Sequence, residues 1–428
     1  MEMNNWGKFV VGDVAAPSRN ALVGGPFGSN LVSRDYVLDG VPVIRGQNMG
    51  LGKWVAGDFV FVSEEKAQEL AANIARPGDL IFTQRGTLGQ VAIVPFGKYD
   101  RYIVSQSQMK LTVDPDKADV HFLYYYFSSS EQQDYIRQNA IQTGVPHTNL
   151  TILRNTPLRL PLPEEQREIA GILGALDDKI ELNRRINATL EATARALFQS
   201  WFVDFDPVRA KSEGRHPEGL DSETAVLFPD AFEDSALGLI PKGWRVEPLD
   251  KIAEYQNGLA LQKFPPEGDE FLPVIKIREL RQGYVDENSD KASPNIRESC
   301  IVYDGDVLFS WSGSLLVDLW CGGMGALNQH LFKVTSETYP KWFFLYWTHY
   351  HLDDFVRVAA DKATTMGHIQ RHHLSSAYTV VPPVDVLTYI DQTMASLVDK
   401  MTQSRLESRK LAETRDTLLP LLMAGKLL

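Results

Sequence analysis

The chain has little cysteine, no long apolar run and no excess of positive charge, and each shortage removes a class of protein. Cys300 and Cys321 are the only two cysteines in 428 residues, too few for a disulfide scaffold or a cysteine-based zinc site; both read as reduced core residues. No stretch of about 18 consecutive apolar residues occurs, and the start, "MEMNNWGKFVVGDV", lacks a basic segment followed by an apolar one. These features lead to the expectation of a soluble, cytoplasmic protein with no membrane contact. The net charge of −12 argues against a general electrostatic clamp on nucleic acid. That acidity is uneven: residues 1–160 hold 15 basic and 15 acidic side chains, whereas 161–243 hold 9 and 16. A neutral N-terminal part retains room for a local basic face.

Catalytic signatures are also missing. There is no "NPPY" or "DPPF" tetrapeptide of the kind that positions an adenine amine for methyl transfer, and no glycine-rich loop ending in Gly-Lys-Ser or Gly-Lys-Thr. The glycines of "GTLGQV" and "CGGMGALNQH" fit tight turns better than a cofactor cradle, since neither stretch lies between a clear strand and a long helix. His368, His372 and His373 have no matching Glu or Cys set, so no metal site and no bound cofactor are expected of this chain.

What the chain does contain is itself, twice. A shift of 221 places His147 of "TGVPHTNL" on His368, Pro161 of "LRLPLP" on Pro382 of "YTVVPP", and Asp178-Lys179 on Asp399-Lys400. A shift of 227 places "RPGDLIFTQRGTLG" on "YDGDVLFSWSGSLL", pairing Gly78-Asp79 with Gly305-Asp306 and Phe82 with Phe309. "VPVIRGQNM" falls on "LPVIKIREL" at 231. Offsets that drift while order is kept imply two copies of one unit separated by insertions and deletions. Each copy has short β-type runs such as "VPVIRG", "DLIFTQ" and "MKLTV", then an aromatic helical stretch ("HFLYYYFSS" or "KWFFLYWTHY"), then a proline boundary, then a long helix. "PEEQREI" puts carboxylates in that helix's first turn, where the dipole favours them.

The two long helices carry apolar seams in alternating steps of four and three. The first runs through Ile169, Leu173, Leu176, Ile180, Asn183, Asn187, Leu190, Ala194, Leu197 and Trp201, the second through Ile390, Met394, Leu397, Met401, Ser404, Ser408, Leu411, Arg415, Leu418 and Leu422. This period predicts a coiled-coil partner. The polar steps coincide, Asn183 and Asn187 with Ser404 and Ser408, and polar seam residues cost stability while restricting register. Antiparallel packing would bring the polar layers together and relate the copies by an approximate two-fold axis. The competing reading is a pair of ordinary amphipathic helices with the polar residues just off the seam. A helix of about 40 residues would span roughly 60 Å at about 1.5 Å per residue.

The expected fold is α+β: two similar globular α/β modules and two long antiparallel coiled-coil helices in a pseudo-two-fold repeat. The divisions are 1–160 (first module), 161–205 (central spacer helix), 206–243 (linker), 244–382 (second module) and 383–428 (C-terminal spacer helix).

The stretch "LPLPEEQREIAGILGALDDKIELNRRINATLEATARALFQSWFVDFDPV", the segment "FPDAFEDSALGLIPKGW" and the ending "RDTLLPLLMAGKL" resemble the specificity subunit of type I restriction-modification systems, and the likeness covers essentially the whole chain. The resemblance implies that each module is a target recognition domain reading one half of a split sequence in double-stranded DNA. It implies that the helices set the gap and dock methyltransferase subunits, two of them, and that restriction (translocase) subunits join the complex. S-adenosylmethionine, ATP and Mg would then sit on those partners, leaving this chain non-catalytic. Half-sites about one duplex turn apart, roughly 34 Å, suit a spacer of this length. A coiled-coil scaffold that binds proteins without DNA specificity would show the same repeat, and DNA binding discriminates the two.

Bidentate base readout uses Arg or Lys on guanine and Asn or Gln on adenine, carried on loops able to enter the major groove. The candidates in the first copy are Arg19, Asn20, Arg45, Gln47, Asn48, Gln84, Arg85, Gln106, Gln108, His147 and Asn149. Those in the second are Gln262, Lys263, Lys276, Arg278, Ser312, Ser314, Asn328, Gln329, His330, His368, Gln370 and Arg371. For any single residue a solvated or capping role competes with base contact. "TQRGTLG" and "SWSGSLL" differ where bases would be specified, so the modules are expected to read different sequences.

Overall fold

A computed structural model describes residues 6–50, 52–142, 145–361 and 367–427; the first five residues of the N-terminal reading and part of the "TGVPHTNL" and "TTMGHIQRHHL" loops lie outside them. The chain divides into two compact units, residues 1–180 with 411–428, and residues 181–410.

In the first unit an antiparallel sheet runs in the order Leu22–Gly24, Gln108–Leu111, Leu80–Thr83, Val91–Ile93. A second sheet has Val41–Ile44 parallel to Tyr102–Val104, with Ile74–Ala75 on the far side. The short runs are apolar on both faces because the sheets are covered: Leu80, Phe82 and Met109 pack on Phe122, Leu123 and Phe127 of the aromatic helix Val120–Ser128. Ile81 and Val104 pack into a separate core.

The second unit repeats this plan. One sheet has the order Glu254–Asn257, Leu331–Thr335, Val307–Ser310, Leu316–Leu319. In the other, Leu272–Ile275 is parallel to Gly325–Leu327 and Ile301–Val302 is antiparallel to it. The repeated Gly-Asp pair has one physical role in both. Gly78 and Gly305 turn the chain at φ 89° and 88°, and Asp79 and Asp306 accept the backbone N–H of Arg76 and Tyr303, each at 2.8 Å. Each carboxylate then pairs with a lysine of the neighbouring strand, Lys110 at 3.4 Å and Lys333 at 2.8 Å. The ammonium groups complete their coordination on the carbonyls of Ile74 and Ile301. The same largely buried ion pair, braced by a backbone carbonyl, recurs at the same place in both units, and its recurrence supports duplication.

The central helix spans Pro163–Phe198 and the C-terminal helix Val384–Met423. Proline at the first position and Glu164-Glu165 in the first turn start the central helix. It ends in a wider turn closed by Asp204 N donating to Gln199 O at 2.8 Å, followed by Phe205 at φ 55°. All the seam positions named above are buried or half-buried. The contact partners run in antiparallel order. Asp177 meets Arg415 in the first unit, and Asn183 meets Glu407 in the second.

One sequence expectation needs correction. The polar layers do not pair Asn with Ser. Asn183, 1% exposed, donates through Nδ2 to Glu407 Oε2 at 2.8 Å, while Ser408 Oγ turns back to Ser404 O of its own helix at 2.9 Å. A carboxylate is the stronger acceptor, and serine in a helix readily bonds the carbonyl four residues back. Asn187 Oδ1 is buried with no partner among the described residues. The linker 206–243 is itself folded. It forms helices Asp206–Ser212 and Ser222–Leu227 and the hairpin Phe232–Ser235 with Gly238–Pro241, and it buries Val208, Phe228 and Ile240 in the second unit's core.

Candidate nucleic-acid interface

The loops at one end of the first unit's antiparallel sheet are tied together by backbone hydrogen bonds. Gln84 N donates to Ser107 O at 2.7 Å, Arg85 N to the same oxygen at 3.3 Å, and Thr148 N to Gln84 O at 3.0 Å, while Arg85 and His147 form a β-bridge. A third loop joins where Gly25 N donates to Gln108 O at 2.9 Å. A Cβ on Gly25 would lie 1.9 Å from Ser105 O, so this approach requires glycine.

The second unit builds the same junction. Trp311 N donates to His330 O at 3.3 Å, Ile369 N to Trp311 O at 3.0 Å, and Gly258 N to Leu331 O at 3.1 Å. Ser312 and His368 form the β-bridge, and a Cβ on Gly258 would lie 2.2 Å from Asn328 O. Gln84, Arg85, Gln106 and His147 therefore converge in one unit, and Ser312, Ser314, Gln329, His330 and His368 in the other.

Side chains at the two junctions differ. Arg85 is exposed, and its side chain makes no bond or ring contact among the described residues. Gln106 is exposed, with its amide donated to Gly28 O and, at 3.3 Å, to Leu31 O. His147 Nδ1 lies 3.1 Å from Val145 O. In the second unit Ser312 is 3% exposed and its hydroxyl lies 2.9 Å from His330 Nδ1. His330 Nε2 lies 3.3 Å from Gln329 Nε2. Its backbone N–H donates to Asn328 Oδ1 at 3.2 Å. Trp311 packs on His330 and, edge to face, on His368. Trp311 was not among the candidates; its one signal in the sequence is an aromatic at the place of Gln84.

Several other candidates have contacts or burial within their own unit. Asn48, 0% exposed, accepts from Arg45 N and donates to Ala56 O and Asp58 O, fixing its own turn. Gln47 donates to Asp58 O, and Arg45 buries its Nε. Gln108 is 0% exposed and accepts from Ser105 Oγ, with Nε2 lacking a partner among the described residues. Asn149 caps helix Leu150–Arg154 by accepting from Ile152 N. Gln370, at the start of Arg371–Ser375, gives its backbone N–H to His373 Nδ1. Arg278 is braced by Glu279, Asp286 and Ser289, and Arg371 donates to Tyr255 O while lying over Phe332.

Arg19 and Asn20 precede strand Leu22–Gly24 and so lie at the opposite end of the sheet from the junction, since Leu22 pairs with Leu111 and Gly24 with Met109. Gln262 and Lys276 line a cleft of about 430 Å³ with Lys291, Asn328, Gln329 and His330, in which Lys276 is paired with Asp290. Lys263 is exposed on the turn beside it. No group of three or more His, Cys, Asp or Glu suited to a metal ion occurs among the described residues, nor does any helix long and apolar enough to cross a membrane.

Comparison with known proteins agrees with this architecture. Residues 39–192 match the family model described as type I restriction modification DNA specificity domain. The HindI specificity subunit of the type I restriction enzyme of Haemophilus influenzae is 25% identical, over 99% of this chain and 100% of its own. The MjaIX specificity subunit of Methanocaldococcus jannaschii is 25% identical over 86% and 81%. Among solved structures, a type I restriction-modification S subunit from M. genitalium has the same fold, with a TM-score of 0.52 at 16% identity over 99% of this chain and 98% of that one.

Proposed function

We propose that the chain is a specificity subunit of a type I restriction-modification system, and that each unit reads one half of a bipartite DNA target through its junction of loops. The observation that carries the reading is the matched pair of junctions. Arg85 with His147 and Ser312 with His368 occupy corresponding places on corresponding sheets, and the chemistry displayed there differs. Equivalent frames with different side chains suit two readers of different sequences.

In this reading the two long helices fix the gap between half-sites and dock two methyltransferase subunits, and restriction subunits complete the assembly. Catalysis and its cofactors, S-adenosylmethionine, ATP and Mg, belong to those partners, and the complex acts in the cytoplasm. The net charge of −12 is compatible with DNA binding if the partners supply much of the phosphate neutralisation.

The test is exchange. With its methyltransferase partner, the chain is expected to retard a duplex carrying the split target more than a scrambled one. Replacing residues 1–160 by another module is expected to change only one half of the methylated sequence. Equal retardation of both duplexes at several salt concentrations, or a change in both halves, would sink the proposal.

A further inference from the structure

We infer that Arg85 reads a guanine in the half-site bound by the first unit, and that the second unit has no counterpart to this contact. The inference rests on the DNA-reading function proposed above and assigns one base pair within it.

Three observations support the assignment. The backbone at Arg85 is held on both sides, by Ser107 O and by the bridge to His147, so the side chain springs from a fixed root. Gly86 follows at φ 98° and turns the chain away directly afterwards. The guanidinium is exposed and makes no bond among the described residues, unlike Arg278, which is consumed by carboxylates, and Arg371, which is bonded to Tyr255 O. Among the described residues Arg85 is therefore a cation whose fork of donors is uncommitted within the junction.

Phosphate contacts set a protein's register on the duplex, and contacts to base edges carry the specificity; the place of Arg85 among the converging loops favours the second role. Arg85 lies between neighbouring loops, flanked by Gln84, Gln106 and His147. A planar guanidinium there matches the O6 and N7 acceptors of guanine, the commonest specific contact in the major groove. At the corresponding place in the second unit, Ser312 is buried and bonded to His330, so a hydroxyl stands where the first unit has a guanidinium.

The experiment uses the full chain with its methyltransferase partner and sequences the methylated adenines, with the module exchange identifying which half-site belongs to the first unit. That half-site is expected to contain an obligatory guanine. In Arg85→Ala the guanine preference should fall roughly 10- to 100-fold at this one position, with the other half-site unchanged. Arg85→Lys should keep guanine, and Arg85→Gln should move the preference toward adenine. A half-site without guanine, or an alanine variant that methylates less everywhere with its guanine preference intact, overturns the inference; the second result makes Arg85 a phosphate contact. If Arg85→Ala abolishes methylation, the Gln variant decides, and an unchanged guanine preference there overturns the assignment. Failure of the underlying function would be seen first in the unaltered complex, as methylation without a split target.

Discussion

Asp177 accepts a hydrogen bond from Arg415 Nη1 at 2.8 Å on one carboxylate oxygen and from the Tyr125 hydroxyl at 2.7 Å on the other. This triad joins the central helix, the C-terminal helix and the aromatic helix of the first unit. The second copy places Val398, Ala194 and Tyr346 at the matching positions, 221 residues away from Asp177, Arg415 and Tyr125. There Val398 and Ala194 are buried in an apolar core, and the Tyr346 hydroxyl is buried without a partner among the described residues. The same seam is thus held by charge in one copy and by aliphatic packing in the other.

The asymmetry supplies its own mutational cycle. Asp177→Ala leaves the Tyr125 hydroxyl without its acceptor and Arg415 with Asp416 alone, and is expected to cost about 1–3 kcal/mol in urea unfolding. The double substitution Asp177→Val with Arg415→Ala copies the other half of the molecule and is expected to recover most of that loss. A double variant no more stable than Asp177→Ala would show that the two layers are not equivalent.

Asn183 offers a contrasting case. Its partner Glu407 is exposed, so removing the amide leaves a carboxylate that water can reach. Asn183→Leu is therefore expected to have a urea midpoint no lower than the parent's, while self-association in light scattering rises because an apolar seam pairs less selectively. A loss above about 1 kcal/mol would mean that the amide contributes net stability and not only selectivity.

Gly25 and Gly258 are expected to be needed for recognition far more than for folding. In Gly25→Ala the Cβ meets the Ser105 carbonyl, and in Gly258→Ala it meets that of Asn328, so each substitution must displace one junction. Each variant is expected to fold, and to lose about tenfold or more in selectivity at its own half-site only, a displaced base contact being worth about 1–3 kcal/mol. Sequencing of methylated adenines reads both halves at once; parallel loss in the two would contradict the independence of the junctions.

Arg409 and Asp304 give a pH signature. Burial raises the Asp304 carboxyl, but the hydrogen bonds from Arg409 and from Gly323 N–H outweigh it and hold the group below the usual aspartate value. A depressed folded-state value contributes stability above the unfolded-state value, and that stability is lost as pH falls through the folded one. Asp304→Asn is therefore expected to be less stable than the parent at pH 7, with the difference closing as the pH is lowered toward about 3. A gap of constant size in urea midpoints across that range would remove Asp304 as its source.

Much of the plan was legible because repetition is a property of order along the chain. Gly78-Asp79 and Gly305-Asp306 aligned by eye, and their shared work in turning the chain and receiving a lysine follows from residue type. The buried face of each long helix was legible for the same reason, since a 3.6-residue period fixes which side chains share a face. The folded state of 206–243 was not, because Val208, Phe228 and Ile240 are too sparse to show a period and gain their partners only in the second unit's core.

For recognition, residue type alone does not rank the candidates, because amide and guanidinium groups brace loops as readily as they meet bases. Asn48 and Arg278 bond within their own unit, while Arg19 lies at the other end of its sheet from the junction. The sequence alone determined the duplication and the helix seams, since these depend on spacing and local conformational preference. Only the tertiary structure decided that Arg85 bonds no described residue, that Ser312 is bonded to His330, and that Asn183 meets Glu407 in place of a serine. Those outcomes depend on which groups distant in sequence come within hydrogen-bonding distance, and no local pattern encodes that.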